Sequence, residues 1–107
     1  MPVIRTPEEA PDWLRWSAFG LAEIHDASEL ELHFHDADEY WLVFGGRARV
    51  LSEGVEYEVG PGDILLTRAG VEHDLLEVIE APLRCFWVED KLVGRKRPGH
   101  LHHPQDD

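Results

Sequence analysis

The seven residues HFHDADE, at positions 33–39, bring two histidines and a carboxylate together in one short segment. Side chains alternate between the two faces of a β-strand, so His33 and His35 would point the same way, with Cβ atoms about 7 Å apart. Glu39 follows a short loop, and His73 lies much further along the chain. Imidazole nitrogens and carboxylate oxygens are usual ligands of divalent first-row metals. If these four side chains converge, the sequence predicts a metal site.

The residues alone leave another interpretation open. The chain has 7 histidines, and an H-x-H pair also occurs on exposed strands that bind nothing. His73, beside Asp74, would then be a solvated turn residue. The histidines of the segment HLHH at 100–103 have no strand context, so we expect that tail to be mobile rather than a second metal site.

Short apolar runs between turn signals extend on both sides of residues 33–39. Turn signals include Gly45-Gly46, Gly60-Pro61-Gly62-Asp63 and Ala81-Pro82. The runs are rich in Val, Ile, Leu and aromatic residues, a pattern typical of an all-β sandwich or barrel. A brief helical piece is expected only near Thr6 to Leu14. We predict eight strands of a jelly roll or small barrel, at Trp16–Ile24, Glu29–His35, Tyr40–Phe44, Ala48–Ser52, Val55–Val59, Asp63–Thr67, His73–Ile79 and Leu83–Glu89.

Length and composition predict one folded domain. The chain has 107 residues, of which 43% are hydrophobic and 30% charged, enough to bury a core without disulfides. We expect an N-terminal segment at 1–15, a barrel at 16–93 and a polar, His-rich tail at 94–107. The single cysteine, Cys85, lies in an apolar run and is predicted to pack in the core.

Charge and hydropathy exclude several classes of function. The 22 acidic and 10 basic side chains give a formal net charge of -12, which disfavours nucleic acids and anionic lipids as partners. Residues 1–11 contain no apolar leader, and no stretch approaches the length of a membrane span. We therefore expect a cytoplasmic protein with no membrane contact.

Residues 27–77 resemble the cupin superfamily, and specifically its small single-domain microbial members. The first cupin motif reads G-x5-H-x-H-x3–4-E-x6-G, and residues 33–39 followed by Gly46 match it, with Ala27 in place of the leading glycine. The second reads G-x5-P-x-G-x2-H-x3-N. Its matching residues are Gly62, Gly70 and His73, whereas Arg68 stands where proline is usual and Glu77 where asparagine is usual.

This resemblance implies a fold and a ligand set. The fold would be the cupin double-stranded β-helix, an all-β jelly-roll barrel with little helix. His33, His35, Glu39 and His73 would hold one divalent transition metal ion (Fe, Mn, Zn, Ni or Cu) at the bottom of the barrel. The ligand set suits all five metals.

Three further residues are predicted to line the pocket. Strand parity places Glu77 on the His73 face, as a general base or as a hydrogen-bond partner of a histidine ligand. Trp41 shares the face of Glu39 and would form a wall, for core packing or for stacking on a substrate. Arg68 would orient an anionic group at the barrel mouth or remain a solvated loop cation.

We therefore expect a small metal-dependent enzyme with dioxygenase or sugar-isomerase-type chemistry on a small polar metabolite. The alternatives are a non-catalytic module that senses or binds a small ligand or sugar, and a barrel that a metal merely stabilises. If His33 and His35 point inward, Leu30, Leu32 and Phe34 point outward, and this strip would form a homodimer interface. Alternatively, Trp13 and Trp16 cover the strip within one chain.

Overall fold

The computed structural model describes residues 3–30, 36–90 and Leu101. Short 3-10 helices lie at Pro7–Glu9 and Ala27–Glu29. The strands are β1 (Trp16–Ile24), β2 (Glu39–Ser52), β3 (Val55–Val59), β4 (Ile64–Thr67) and β5 (His73–Asp90). The prediction of an all-β chain with little helix is confirmed.

The first 3-10 helix lies where the helical signal near Thr6 predicted a short turn. Thr6 precedes this helix in an extended conformation, and its side chain contacts Glu9 rather than capping the backbone. The predicted strand at Glu29–His35 does not begin at Glu29. The Asp26 side chain accepts a hydrogen bond from the Ser28 N–H and starts a helical turn that includes Glu29. Residues 31–35 of that prediction lie outside the described residues.

One antiparallel sheet holds the described strands together, in the order β1-β5-β2-β3, with β4 pairing to β2 beside β3. The first half of β2 pairs with the last part of β5, from Glu39 opposite Glu89 to Val43 opposite Cys85. The second half of β2 pairs with the beginning of β5, which places Ser52 opposite His73. The sheet does not close into a barrel within the described residues.

Two predicted turns lie inside continuous strands. Gly45-Gly46 lies within β2 and Ala81-Pro82 within β5, so these predictions are wrong. The reason is a set of register shifts between residues 43 and 48 of β2, where Gly46 has a φ of +74°. Such bulges bend a strand without reversing it. The bend switches the buried positions of β2 from odd numbers before it to even numbers after it.

The bend folds the sheet back on itself. A straight strand of this length would separate Glu39 from Ser52 by about 44 Å. Yet His73, the partner of Ser52, reaches within 3.7 Å of Glu39. The two halves of the bent sheet therefore face each other, as in a jelly roll.

The core lies between these two halves. The core contains four residues of one half, namely Trp41, Val43, Leu83 and Cys85. It also contains residues of the other half and of β1 and β3, namely Ile24, Ala48, Val50, Val59 and Leu75. Cys85 is fully buried, which confirms its predicted place in the core. Burial raises the pKa of its thiol to about 11, with a smaller contribution from the charge of Glu39. The thiol is therefore protonated and inert at neutral pH.

No helix in the described part of the chain is long and apolar enough to cross a membrane. The predicted tail at 94–107 falls outside the described residues except for Leu101.

Candidate metal centre

Two of the four predicted metal ligands meet in the structure. Glu39 opens β2 and His73 opens β5, and each residue is only 5% exposed. The His73 Nε2 atom lies 3.7 Å from the Glu39 Oε1 atom. The bend at Gly46 produces this meeting, because it returns the far end of β2 and its partner strand to the beginning of β2.

The other two predicted ligands, His33 and His35, lie outside the described residues. Among residues 3–30, 36–90 and Leu101, no group of three or more His, Cys, Asp or Glu residues is arranged to hold a metal ion. The described structure thus contains one half of the predicted ligand set.

The Glu39 carboxyl is held by two neighbours. Trp41 Nε1 donates a hydrogen bond of 2.8 Å to Glu39 Oε1. Glu89 is the cross-strand partner of Glu39, and the two carboxyl groups share a hydrogen bond. Burial raises the pKa of Glu39 to about 8, and the hydrogen bond and charge of Glu89 add to this effect, while the Trp41 hydrogen bond opposes it. Without a cation, Glu39 therefore keeps its proton at neutral pH.

The His73 ring is oriented by the backbone. Its Nδ1 atom lies 3.3 Å from the Val71 carbonyl oxygen. A carbonyl only accepts hydrogen bonds, so this contact favours the proton on Nδ1 and a lone pair on Nε2, the nitrogen that faces Glu39. A backbone carbonyl commonly orients a metal-binding histidine in this way.

The chemistry and spacing of this pair fit a metal ion. Ligand atoms of a tetrahedral site with bonds near 2.1 Å lie roughly 3.4 Å apart, close to the 3.7 Å observed between Nε2 and Oε1. The ring presents its lone pair, and a cation would displace the Glu39 proton. Glu39 and His73 therefore suit two ligands of one ion.

A cavity of about 340 Å³ opens beside Glu39. Its described walls are mostly apolar and include Trp41 and Trp87, together with the carboxylates of Glu29, Glu39 and Glu89. Trp41 lines this cavity, and its role as a wall of a substrate pocket stays a prediction. Leu30 also lines this cavity and packs against the core. The expectation that Leu30 points outward, as part of a dimer strip, is therefore wrong, and Leu32 and Phe34 lie outside the described residues.

Glu77 lies away from this cavity. The register of β5 shifts at Leu76, because Leu75 pairs with Val50 but Glu77 pairs with Arg49. This extra residue reverses the alternation, so the Glu77 side chain is half-exposed and lies 3.3 Å from the Arg49 guanidinium. The parity argument that placed Glu77 on the His73 face is wrong for this reason.

Arg68 is also remote from the metal-ligand pair. Its side chain is 84% exposed and lies 3.9 Å from the Glu53 carboxylate. It borders a separate surface groove that includes Tyr57 and Leu66. This placement agrees with the second of the two alternatives given for Arg68, a solvated loop cation.

Sequence reasoning missed Glu89. Its signal was present, because Glu89 ends a predicted strand and shares the face of the core residue Cys85 by alternation. Its proximity to Glu39 depends on the β2–β5 register, which the bulges set.

The bent antiparallel sheet with a buried histidine–glutamate pair defines a double-stranded β-helix protein with a candidate metal site. The family model described as "Cupin domain" matches residues 20–89. The chain therefore belongs to the cupin family, which confirms the resemblance seen in its motifs.

Relatives support the same fold. An uncharacterized protein of Sinorhizobium fredii, y4oW, is 37% identical over 84 residues, which cover 75% of this chain and 38% of that protein. The chain thus spans well under half the length of this curated relative. A predicted oxalate decarboxylase from Thermotoga maritima superposes with a TM-score of 0.64 at 18% identity, covering 73% of this chain and 69% of the other. A putative sugar phosphate isomerase from Acidithiobacillus ferrooxidans superposes with a TM-score of 0.61 at 20% identity, covering 76% of this chain and 53% of the other.

Proposed function

We propose that this chain is a metal-binding cupin that acts as a small metal-dependent enzyme. The observation that carries the proposal is the meeting of Glu39 and His73, which are distant in sequence and buried together with two donor atoms 3.7 Å apart. The cupin motif supplies His33 and His35 as the other two ligands. Three nitrogens and one oxygen suit Fe, Mn, Zn, Ni or Cu.

A metal ion bound by these residues would polarise a coordinated oxygen or generate a nucleophile at neutral pH. The chain's own residues have separate tasks. Trp41 holds the Glu39 oxygen through its indole N–H, and Val71 fixes the His73 ring. Trp41 and Trp87 form apolar walls that exclude water and suit the flat side of a small ligand.

The described cavity walls also restrict the ligand. They contain three carboxylates and no lysine or arginine. Apart from the metal's own charge, these walls therefore disfavour an anion and favour a small neutral metabolite that chelates through hydroxyl, enol or carbonyl oxygens. The reaction would be a dioxygenation of a diol or enol, or a sugar-isomerase-type proton transfer.

The proposal is tested by reconstituting the metal-free protein. Anaerobic loading with Fe²⁺ followed by diols or enols and then oxygen should give substrate-dependent oxygen uptake. Loading with Mn²⁺, Zn²⁺ or Ni²⁺ should be followed by a panel of neutral sugars. His73→Ala should abolish either activity, whereas His25→Ala, at an exposed histidine outside the cavity lining, should leave it unchanged. Equal activity in His73→Ala would overturn the proposal.

A second candidate is a non-catalytic small-ligand or sensor cupin. The position of Glu77 favours it, because the predicted general base pairs with Arg49 outside the cavity. In this case ligands would raise the melting temperature of the metal-loaded protein, and no metal would give turnover on the same panel.

The proposed partner is a small molecule and not a nucleic acid, because the net charge of -12 repels phosphate backbones. A cytoplasmic location is proposed from the single cysteine, which is buried and free and suits a reducing compartment. Fractionation of cells that produce the full-length protein tests this location.

A further inference from the structure

A second concave surface lies between strands β3 and β4, on the side of β2 away from β5. Its volume is about 520 Å³, which falls within the range of small-molecule sites, roughly 300–1,000 Å³. We call it the β3–β4 groove, and its lining includes Ser52, Tyr57, Val59, Leu65 and Val71. Among the described residues it shares no lining residue with the cavity beside Glu39. The two concave surfaces are therefore distinct.

The bend in β2 creates the β3–β4 groove. Strand β3 pairs with the second half of β2, and β4 pairs with its first half. The groove therefore lies where the two halves of the sheet face each other. Leu65 is directly opposite the core residue Trp41, so its side chain points to the inner side of the sheet. The groove opens this inner side to solvent.

A buried hydroxyl group lies in the lining of the groove. Ser52 is only 7% exposed, and by strand alternation it shares the inner face of the buried Val50. Its hydroxyl has no hydrogen-bond partner among the residues that the structure describes. A buried hydroxyl without a partner is unfavourable. A ligand that offers a hydroxyl group would remove this cost.

An aromatic ring and an apolar wall stand beside this hydroxyl. Tyr57 is 49% exposed, so part of its side chain is accessible in the groove. Val59 is buried, and Leu65 and Val71 are half-buried. Ligand sites commonly combine such apolar and aromatic walls with a few well-placed polar groups. The arrangement suits a ring compound with one apolar face and hydroxyl groups at its edge.

The charged residues of the groove favour a neutral ligand. Among the described lining residues are three carboxylates and one guanidinium, those of Glu53, Glu58, Asp63 and Arg68. Glu58 lies 3.4 Å from Arg47, and Asp63 accepts a hydrogen bond of 2.8 Å from a backbone N–H. Arg68 and Glu53 are 3.9 Å apart, too far for a hydrogen bond. They can therefore offer a donor and an acceptor to hydroxyl groups, while the excess of carboxylates disfavours an anion.

We propose that the β3–β4 groove is a second ligand site, which binds a small neutral sugar. The sugar ring packs on Tyr57 and the apolar wall, and one hydroxyl group bonds to Ser52. Other hydroxyl groups bond to Arg68 and Glu53 at the rim. This site is separate from the candidate metal centre and does not require a bound metal.

Heteronuclear NMR spectra of the full chain test the proposal, with a chelator present and with D-xylose, D-glucose or maltose added. At least one of these sugars should bind saturably and shift the backbone signals of residues 52–59 and 65–71. The signals of Trp41 and Trp87, in the cavity beside Glu39, should shift less. The chelator makes this binding independent of the metal centre, so either proposal can fail alone.

Tyr57→Ala removes the aromatic ring and should raise the dissociation constant of the sugar at least tenfold. Val55→Ala is the matched control, because Val55 lies on the same strand with the same exposed fraction of 49%, outside the groove lining. Its affinity for the sugar should stay near that of the wild type. Ser52→Ala removes the buried hydroxyl and should raise the dissociation constant about three- to tenfold.

The absence of saturable binding by all three sugars would overturn the proposal. Signal shifts confined to the cavity beside Glu39 would also overturn it, as would equal weakening in Tyr57→Ala and Val55→Ala. If Tyr57→Ala fails to fold, Ser52→Ala decides the question, because it changes a single oxygen atom. An unchanged sugar affinity in folded Ser52→Ala would then contradict the proposal.

Discussion

At the scale of single residues, Glu39 joins the elements of the site. Its carboxyl group accepts a hydrogen bond from Trp41, shares one with Glu89 and faces His73. A buried carboxyl group with a neighbouring carboxylate holds its proton in the absence of a cation. Metal binding and proton release at Glu39 are therefore expected to be linked.

Trp41→Phe keeps an aromatic wall but removes the indole N–H that holds Glu39. Loss of such a supporting hydrogen bond typically weakens metal affinity by about 10–100-fold. Isothermal titration with Zn²⁺ measures this effect. Trp87→Phe is the control, because Trp87 lines the same cavity. The Zn²⁺ affinity of this variant should stay near that of the wild type. Equal losses of affinity in the two variants would contradict the role assigned to Trp41.

The raised pKa of Glu39 predicts a pH dependence of stability. The folded, metal-free protein keeps this proton up to a pH of about 8, whereas the unfolded chain releases it near 4.5. The contribution of Glu39 to the free energy of unfolding is therefore complete below pH 4.5. It falls by on the order of a few kcal/mol as the pH rises towards 8.

Glu39→Gln removes this titration while keeping a side chain that donates and accepts hydrogen bonds. Urea unfolding in the presence of a chelator at pH 5 and pH 8 should show the stability of the variant rising relative to wild type as the pH increases. The assignment fails if the two proteins have the same pH dependence.

At the scale of elements, the bends in β2 and β5 decide where side chains point. Isolated strands such as Trp16–Ile24 and Val55–Val59 were predictable with their observed bounds, because turn residues flank them. The sequence predicts a turn at Gly45-Gly46, where the structure has a bulge. A glycine pair occurs equally well in a turn and in a bulge, so the sequence does not distinguish the two. The bulge at Leu76 carries no glycine or proline and moved Glu77 out of the pocket without a sequence signal.

Gly46→Ala tests the importance of the β2 bend. A Cβ atom at this position would lie 2.6 Å from the Glu80 carbonyl oxygen, and the φ of +74° is unfavourable for any side chain. The substitution should cost about 3 kcal/mol or more in the free energy of unfolding.

Gly54→Ala is the matched control, because Gly54 has a φ of +76° and no atom within 4 Å of the added Cβ. It should lose only about 1–2 kcal/mol, the cost of the left-handed backbone. Similar losses in both variants by urea denaturation would show that the close approach of β2 and β5 at Gly46 is not a tight constraint.

At the scale of the whole molecule, the bent sheet separates two surfaces of different character. Its inner side brings together Glu39, His73, Glu89, Trp41 and Trp87, and the outer side of one half exposes the apolar side chains of Leu21, Ile64 and Leu66. The fold class and the meeting of Glu39 with His73 were predictable, because the resemblance to the cupin motifs implies both. The position of Glu89 and the alignment of the exposed apolar side chains were not predicted, because both depend on the pairing register of distant strands.

The central claim is that Glu39 and His73 belong to a metal site, with His33 and His35. The most direct test is the metal content of the protein purified without chelators, measured by inductively coupled plasma mass spectrometry. About one transition metal ion per chain is predicted for the wild type, with little or none in folded Glu39→Gln and His73→Ala. A wild type without metal that gains neither an ion nor stability when one is added would contradict the claim, as would variants that retain the full metal content.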